Sequence, residues 1–391
     1  MGENDIPFIP YGRQWIDEYD RAAVDRVLTS DYLTTGPEIG AFEAELASYT
    51  GARYAVAVSS ATAGLHLALA ALDLPTGSSG ITSPNTFVAT PNSLVYNGLV
   101  PKFADIDPLT YNLSAEAIGE AMDSETSVLL PVHFAGRACD MAAISKIASA
   151  RGVRIVEDAA HAIGSRYPDG SMVGSCRFSD MTVFSFHPVK TMTTGEGGAV
   201  TTNDKRLYQR LLDLRSHGIT RDRSRLERDP GPWYYEMHSL GYNYRMTDIQ
   251  AALGRSQLSK LELFVTRRRE LVRQYNRELS GISWLVTPDN SGNEFTSFHL
   301  YVTKFDWDGL GLARKDVMAQ LRSRGIGTQV LYIPVHTQPY YRESLGFALG
   351  DFPVAEAYYQ ATLALPLYAA MSDDDQYRVV SAIRDLEPKG K

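Results

Sequence analysis

From Tyr54 onward the chain repeats one pattern: a short apolar run, a turn, then a stretch with helical spacing. The pattern predicts strands over 54–58, 80–84, 100–106, 126–134, 153–158, 181–186 and 198–202. Helices are expected between them over 65–72, 89–97, 114–122 and 141–150. Continuously apolar strands alternating with helices imply an α/β fold with a mostly parallel sheet covered on both faces. Ligands of such sheets sit beyond the carboxyl ends of the strands.

At 391 residues the chain exceeds what one core usually organises. The expected division is 1–264, a lead-in and large domain, and 265–391, a smaller α+β domain. The lead-in runs over 1–14, with a helix from Asp17 to Leu28 and another from Phe42 to Tyr49. Leu33 to Pro37 reads as a turn that starts no regular element. Asp248 to Leu279 reads as one long helical stretch. Beyond it, strands are expected over 298–303 and 327–333 and helices over 315–323 and 354–363. Residues 219–235 are charged and turn-rich; a solvated loop, a lid and a subunit contact all fit them.

Four features fall at predicted strand ends. Lys190 closes the apolar run from Val183 and precedes the Gly-rich stretch Gly195-Glu196-Gly197-Gly198. A snorkelling strand-end lysine fits that place, and so does a desolvated lysine that attacks a carbonyl. Asp158 ends the strand Val153 to Val156 and needs a partner if buried. Asn85-Thr86-Phe87 puts an aromatic just past a strand, for core packing or for stacking. Ser60-Ala61-Thr62-Ala63-Gly64 opens a helix whose free amides suit a phosphate. With Ser185, these make a phosphate cup, a ring stacker, an anion for a ring nitrogen and an amine. Pyridoxal 5'-phosphate needs that set.

The net charge of -8 excludes a general nucleic-acid binder. The N-terminus from Met1 to Asp5 is acidic, without an apolar signal core, and no stretch has membrane-spanning length. The two cysteines, Cys139 and Cys176, have no metal-ligand spacing, so no metal is expected. A reducing cytoplasm is the expected compartment.

Ser60-Ala61-Thr62-Ala63, Ser83-Pro84-Asn85-Thr86-Phe87-Val88-Ala89-Thr90, Glu157-Asp158-Ala159-Ala160-His161 and Phe184-Ser185-Phe186-His187-Pro188-Val189-Lys190 resemble the DegT/StrS family of nucleotide-sugar aminotransferases. So do Arg215-Ser216-His217-Gly218 and Gly241-Tyr242-Asn243-Tyr244-Arg245-Met246, and the likeness runs from about Tyr11 to Leu367. The resemblance implies the aspartate-aminotransferase fold, fold type I of the pyridoxal phosphate enzymes, and a homodimer with shared active sites. It implies Lys190 as the Schiff-base lysine, Asp158 at the pyridine nitrogen and Phe87 stacked on the ring. Thr62, Ala63 and Ser185 would serve the phosphate, Asn243 would reach it from the other subunit, and His161 would lie near the ring oxygen. A dehydrating branch carries histidine in place of the lysine, so Lys190 implies transamination. Gly77-Ser78-Ser79-Gly80 departs from the acidic pattern common before this strand, in a surface loop.

Ile9 to Gln14, Leu33 to Pro37, His133 to Gly136 and Trp233 to Met237 are similar to one branch, the transaminases of pseudaminic acid biosynthesis. That likeness implies a UDP-linked 4-keto-6-deoxy sugar as acceptor and L-glutamate as donor, with 2-oxoglutarate and pyridoxamine 5'-phosphate formed between the half-reactions. Arg245, Tyr332, His336 and Thr35 are the expected substrate contacts. A structural ion pair is the rival role for Arg245, and a buried structural histidine for His336. Two rival readings of the whole chain are a regulator without turnover and an amino-acid aminotransferase using Arg378 or Arg384.

Overall fold

A computed structural model describes residues 7–289 and 291–386. The acidic start, Met1 to Asp5, lies outside the described residues. Helices α1 (Glu18–Leu28) and α2 (Pro37–Thr50) precede β1 (Tyr54–Val58) and α3 (Ala61–Leu72). The alternation continues as β2 (Ser79–Thr82), α4 (Ala89–Tyr96), β3 (Val100–Phe103), α5 (Ala115–Ala121), β4 (Thr126–Leu130) and α6 (Met141–Arg151). Strands β5 (Arg154–Asp158), β6 (Met181–Ser185) and β7 (Gly198–Thr202) follow, then α7 (Lys205–Arg215).

All seven strands form one sheet in the order β1-β7-β6-β5-β4-β2-β3. Five run parallel through β6-β5-β4-β2-β3, and β7 is antiparallel to both of its neighbours. β7 therefore sits inside the sheet, between β1 and β6. Two apolar clusters cover the sheet, one built on Phe42, Ile155 and Phe184, the other on Val58, Leu67 and Val183. Each large apolar side chain so buried contributes about 1.5–3 kcal/mol.

The antiparallel placement of β7 has a local result. The loop joining β6 to β7 lies at the rim where β1 and β5 also end, and that loop carries Lys190. In register, Gly198 faces both Val58 and Ser185. A Cβ there would lie 2.6 Å from the Ala61 amide nitrogen and 2.8 Å from the Phe184 carbonyl oxygen. Only glycine lets the start of α3 approach the end of β6 this closely.

The turn at Leu33 to Pro37 does start an element, because Pro37 occupies the first turn of α2. Its cap comes from far along the chain: Asp248 accepts from the Gly36 and Glu38 amides at 2.8 and 3.0 Å. The stretch over 219–235 opens on β8 (Ile219–Thr220), which pairs with β9 (Glu236–Met237) to make a hairpin. The long helical stretch is two helices, α8 (Asp248–Ser259) and α9 (Leu261–Leu279). They break at Lys260, whose ammonium pairs with Asp17 and Asp20 at 2.8 and 2.6 Å.

The C-terminal part holds β10 (Leu285–Val286), β11 (Tyr301–Phe305), α10 (Trp307–Leu310), α11 (Arg314–Ser323), α12 (Pro339–Leu345), α13 (Pro353–Ala361), β12 (Thr362–Leu365) and α14 (Asp373–Arg384). Its sheet has the order β10-β11-β12. The strand expected over 298–303 begins only at Tyr301, because Phe298 has a left-handed backbone, φ 51°. The stretch over 327–333 is an extended arm with one bridge, Gln329 to Ala364. The helix expected to reach 363 stops at Ala361, and its end is β12.

The expected domain border at 264/265 falls inside α9. Leu261 and Val265 belong to the large core, whereas Leu271, Val272 and Tyr275 belong to the C-terminal core. The lead-in also sides with the C-terminal core. Ile9 is buried there and bridges to Ile326 in parallel fashion.

Candidate active site

The carboxyl ends of β1, β5 and β6 open onto a cavity of about 320 Å³. Lys190, Asp158, Phe87, Thr62, His161, Ser185 and Tyr332 all line it. The sheet rim and the arm over 327–333 thus bring together residues separated along the chain by most of its length.

Lys190 is half-buried, and its amide donates to the His187 carbonyl at 2.8 Å in a tight turn. Burial pulls its ammonium down to about 8, although the nearby Asp158 charge works in the other direction. Desolvation disfavours the charged amine, so an appreciable neutral fraction is present near neutral pH. A snorkelling lysine would keep its ammonium in water; this one does not.

Asp158 is buried and held from two sides. Its Oδ2 accepts from Thr90 Oγ1 at 2.6 Å and its Oδ1 from the Ala160 amide at 3.0 Å. Thr90 is itself in contact with Thr86, hydroxyl to hydroxyl at 2.8 Å. A carboxylate has about four acceptor sites, so capacity remains on the cavity side. Thr90 stood in a sequence motif without a role; its role is to aim Asp158.

His161 is buried, and burial first, then the Lys190 charge, push its imidazole well below the usual range. It is therefore neutral. Its Nδ1 accepts from the Ala135 amide at 3.3 Å, and its Nε2 lies 3.0 Å from Tyr332 Oη. Phe87 is 58% exposed, an aromatic left open on the cavity wall rather than packed in the core. Its ring centroid is 6.1 Å from that of Tyr332.

At the start of α3, Ser60 Oγ accepts from the Ala63 amide at 3.1 Å. Ala63 is buried with its amide so engaged and does not line the cavity, whereas Ser60, Ala61 and Thr62 do. The first amides of a helix have no partner within it and suit an anion.

The other expected contacts lie outside the cavity. Asn243 is exposed, with its backbone bridged to Ser216. Arg245 is half-buried and makes no hydrogen bond or ion pair among the described residues, so the ion-pair role is not seen. Thr35 is exposed with φ 54°. His336 is fully buried, 2.9 Å from Glu356 and against the Phe352 ring; it takes the structural role, not a place on the cavity wall. Its segment does reach the site, but through Tyr332. Tyr11 is a wall that site reasoning missed. Its only signal was its place in the N-terminal stretch quoted for the family branch.

These residues fit pyridoxal phosphate. Thr62 and the α3 amides can hold its phosphate, Asp158 has free acceptor capacity for a protonated ring nitrogen, Phe87 offers an open ring face, and Lys190 is the partly neutral amine.

Residues 14–384 match the DegT/DnrJ/EryC1/StrS aminotransferase family. The spore coat polysaccharide biosynthesis protein SpsC of Bacillus subtilis is 41% identical over 380 residues, 97% of each chain. PseC of Helicobacter pylori, an aminotransferase of pseudaminic acid biosynthesis, superposes with a TM-score of 0.89 at 30% identity, over 97% of this chain and 99% of that one. The PLP form of Spr1654, a sugar aminotransferase from Streptococcus pneumoniae described as putative, gives 0.88 at 30% identity over 97% and 98%. The chain belongs to the DegT/DnrJ/EryC1/StrS family of aminotransferases and has the fold of its pyridoxal phosphate enzymes.

Proposed function

We propose that the chain transfers the amino group of L-glutamate to the C4 ketone of a UDP-linked 4-keto-6-deoxy sugar. In this reading it is the UDP-4-amino-4,6-dideoxy-N-acetyl-β-L-altrosamine transaminase of pseudaminic acid biosynthesis. The observation that carries transamination is the half-buried Lys190, drawn down to about 8 beside Asp158 in one cavity. The likeness to PseC supports the sugar class.

Pyridoxal phosphate, when bound, supplies the carbonyl that receives the amino group and a ring that spreads the electron pair left on carbon. Asp158 holds the proton on the ring nitrogen. Thr62, Ser185 and the first amides of α3 hold the phosphate. Neutral Lys190 Nζ takes the α-proton of the amino donor as general base. In the second half-reaction the same amine gives a proton to the sugar carbon that was the ketone. One group doing both tasks implies ping-pong kinetics.

The diphosphate of the sugar nucleotide needs cations, and Arg245, which has no side-chain partner among the described residues, is our candidate. We propose a homodimer in which the exposed Asn243 serves the neighbouring subunit's phosphate site. A cytoplasmic location is supported by two buried free thiols, Cys139 and Cys176. No helix among the described residues is long and apolar enough to cross a membrane.

The extended likeness to SpsC favours a second reading, an aminotransferase for another nucleotide-linked 3- or 4-keto sugar. A regulator without turnover is disfavoured, since Lys190 and Asp158 share the cavity. The test is a panel of UDP-4-keto sugars, other nucleotide-linked keto sugars and 2-oxo acids, each with glutamate. Turnover is expected with the UDP-4-keto sugars, and Lys190→Ala should lower it about 10²–10⁴-fold. Turnover with 2-oxo acids alone, or full activity in Lys190→Ala, would overturn the reading.

A further inference from the structure

The direction of the hydrogen bonds around His161 has a consequence for Tyr332. A backbone N–H only donates, so the Ala135 amide at 3.3 Å fixes His161 Nδ1 as an acceptor without a proton. The ring is neutral, so its one proton is on Nε2. That N–H then donates to Tyr332 Oη across 3.0 Å. Tyr332 receives this bond, and its own hydroxyl proton has no acceptor among the described residues. Tyr332 also lines the cavity. Its backbone is tied to the same rim, the amide donating to Asn85 Oδ1 at 3.4 Å.

We propose that Tyr332 is a one-way donor: His161 aims its hydroxyl proton into the cavity, toward a bound oxygen that carries no proton of its own. His161 is the positioning residue and Tyr332 the group that touches the ligand. Two oxygens have that chemistry, the phenolic oxygen of the pyridoxal ring and the ketone oxygen of the acceptor sugar.

The surroundings keep Tyr332 in its donating form. Burial first, then the charges of Asp158 and Tyr11, hold its phenol above the ordinary range. The other titratable groups near the pair are Lys190, His299 and Tyr358, whose phenol burial holds in its neutral form. The His299 ring centroid lies 4.3 Å from that of His161, and burial and nearby cations keep His299 neutral too. Among the described residues no carboxylate is bonded to His161, so none draws a second proton onto its Nδ1.

This inference rests on the aminotransferase reading, but not on which sugar is used. Its first measurement therefore needs no substrate: the visible absorbance of the PLP-loaded enzyme is titrated against pH. If the ring oxygen is the acceptor, Tyr332→Phe should raise the apparent pKa by about one unit, because a donor to the deprotonated form has been lost. His161→Leu should do the same. His161→Gln, whose amide can accept from Ala135 and donate to Tyr332, should largely restore the wild-type curve. If the ketone is the acceptor, the absorbance titration should stay put. The half-reaction with the keto sugar should then slow about tenfold in Tyr332→Phe, with the glutamate half-reaction unchanged. Should His161→Leu fail to fold, Tyr332→Phe and His161→Gln still decide the matter. The proposal is overturned if Tyr332→Phe changes neither measurement, or if His161→Leu shifts the titration while Tyr332→Phe does not.

Discussion

Glu157 and Asp158 are neighbours on β5, yet their side chains face opposite sides of the sheet and live in different worlds. Glu157 is fully buried in a closed network. Its Oε2 accepts from His133 at 2.7 Å and from Tyr167 at 2.5 Å, and its Oε1 from Thr182 at 3.0 Å and from Ser179. The Cys139 amide donates to His133 Nδ1 at 3.1 Å, which leaves the imidazole proton on the nitrogen facing Glu157. Burial alone would raise the Glu157 carboxyl, but the bonds from His133, Ser179 and Tyr167 outweigh it and hold it below the usual range. Asp158 has two donors and an open side. A saturated carboxylate is structure; an unsaturated one at a cavity is chemistry.

Glu157→Ala should have the largest effect. It strands His133, Tyr167, Ser179 and Thr182 in the core and should cost about 3–5 kcal/mol of unfolding free energy. Chemical denaturation reads the loss, and activity per folded molecule should remain. Asp158→Asn should do the reverse. Turnover should fall about 10²–10³-fold with denaturation nearly unchanged, because the amide cannot hold a proton on the ring nitrogen. If the two variants behave alike, the contrast between the two faces fails.

Lys190→Met separates chemistry from stability once more. The folded state holds this amine at about 8, below its unfolded value of 10.5, so folding binds fewer protons than unfolding between those values. Stability carried by Lys190 is therefore poorest below about pH 8 and recovers as pH rises toward 10.5. In the cofactor-free protein, Lys190→Met should gain ~2–3 kcal/mol at pH 7, and the gain should fade above pH 8. A gain independent of pH would point to packing instead.

The part of this contrast that chemistry marks is legible in the sequence. Lys190, Asp158, Phe87, Thr62, His161 and Ser185 stand at strand ends, and the β/α alternation brings those ends to one rim. The Glu157 network is not legible in the sequence, because nothing local shows that His133, Tyr167 and Ser179 converge on one carboxylate. The start of α2 is hidden for the same reason, since the cap comes from Asp248. Thr362 and Leu363, the first half of β12, fall inside the expected helix over 354–363, because a four-residue strand, Thr-Leu-Ala-Leu, has no period long enough to choose. His336 is expected at the substrate because its segment resembles one that approaches the site in the family; the segment does so through Tyr332, and only burial and Glu356 reveal the partner of His336.

Tyr11 and the arm that carries it set the order in which this site can come into being. The Ile9 amide donates to the Gly325 carbonyl and the Gly327 amide to the Ile9 carbonyl, each at 2.7 Å, while the Leu367 amide donates to the Tyr11 carbonyl at 3.1 Å. On the ribosome, residues made before Lys190 thus wait for residues made long after it. A nascent chain that has already released Lys190, Asp158 and α3 still lacks the Leu331 and Tyr332 walls of its cavity and the anchors of Tyr11. The wall that Tyr11 forms is thus anchored by backbone bonds that cannot exist until Gly325, Gly327 and Leu367 have been made.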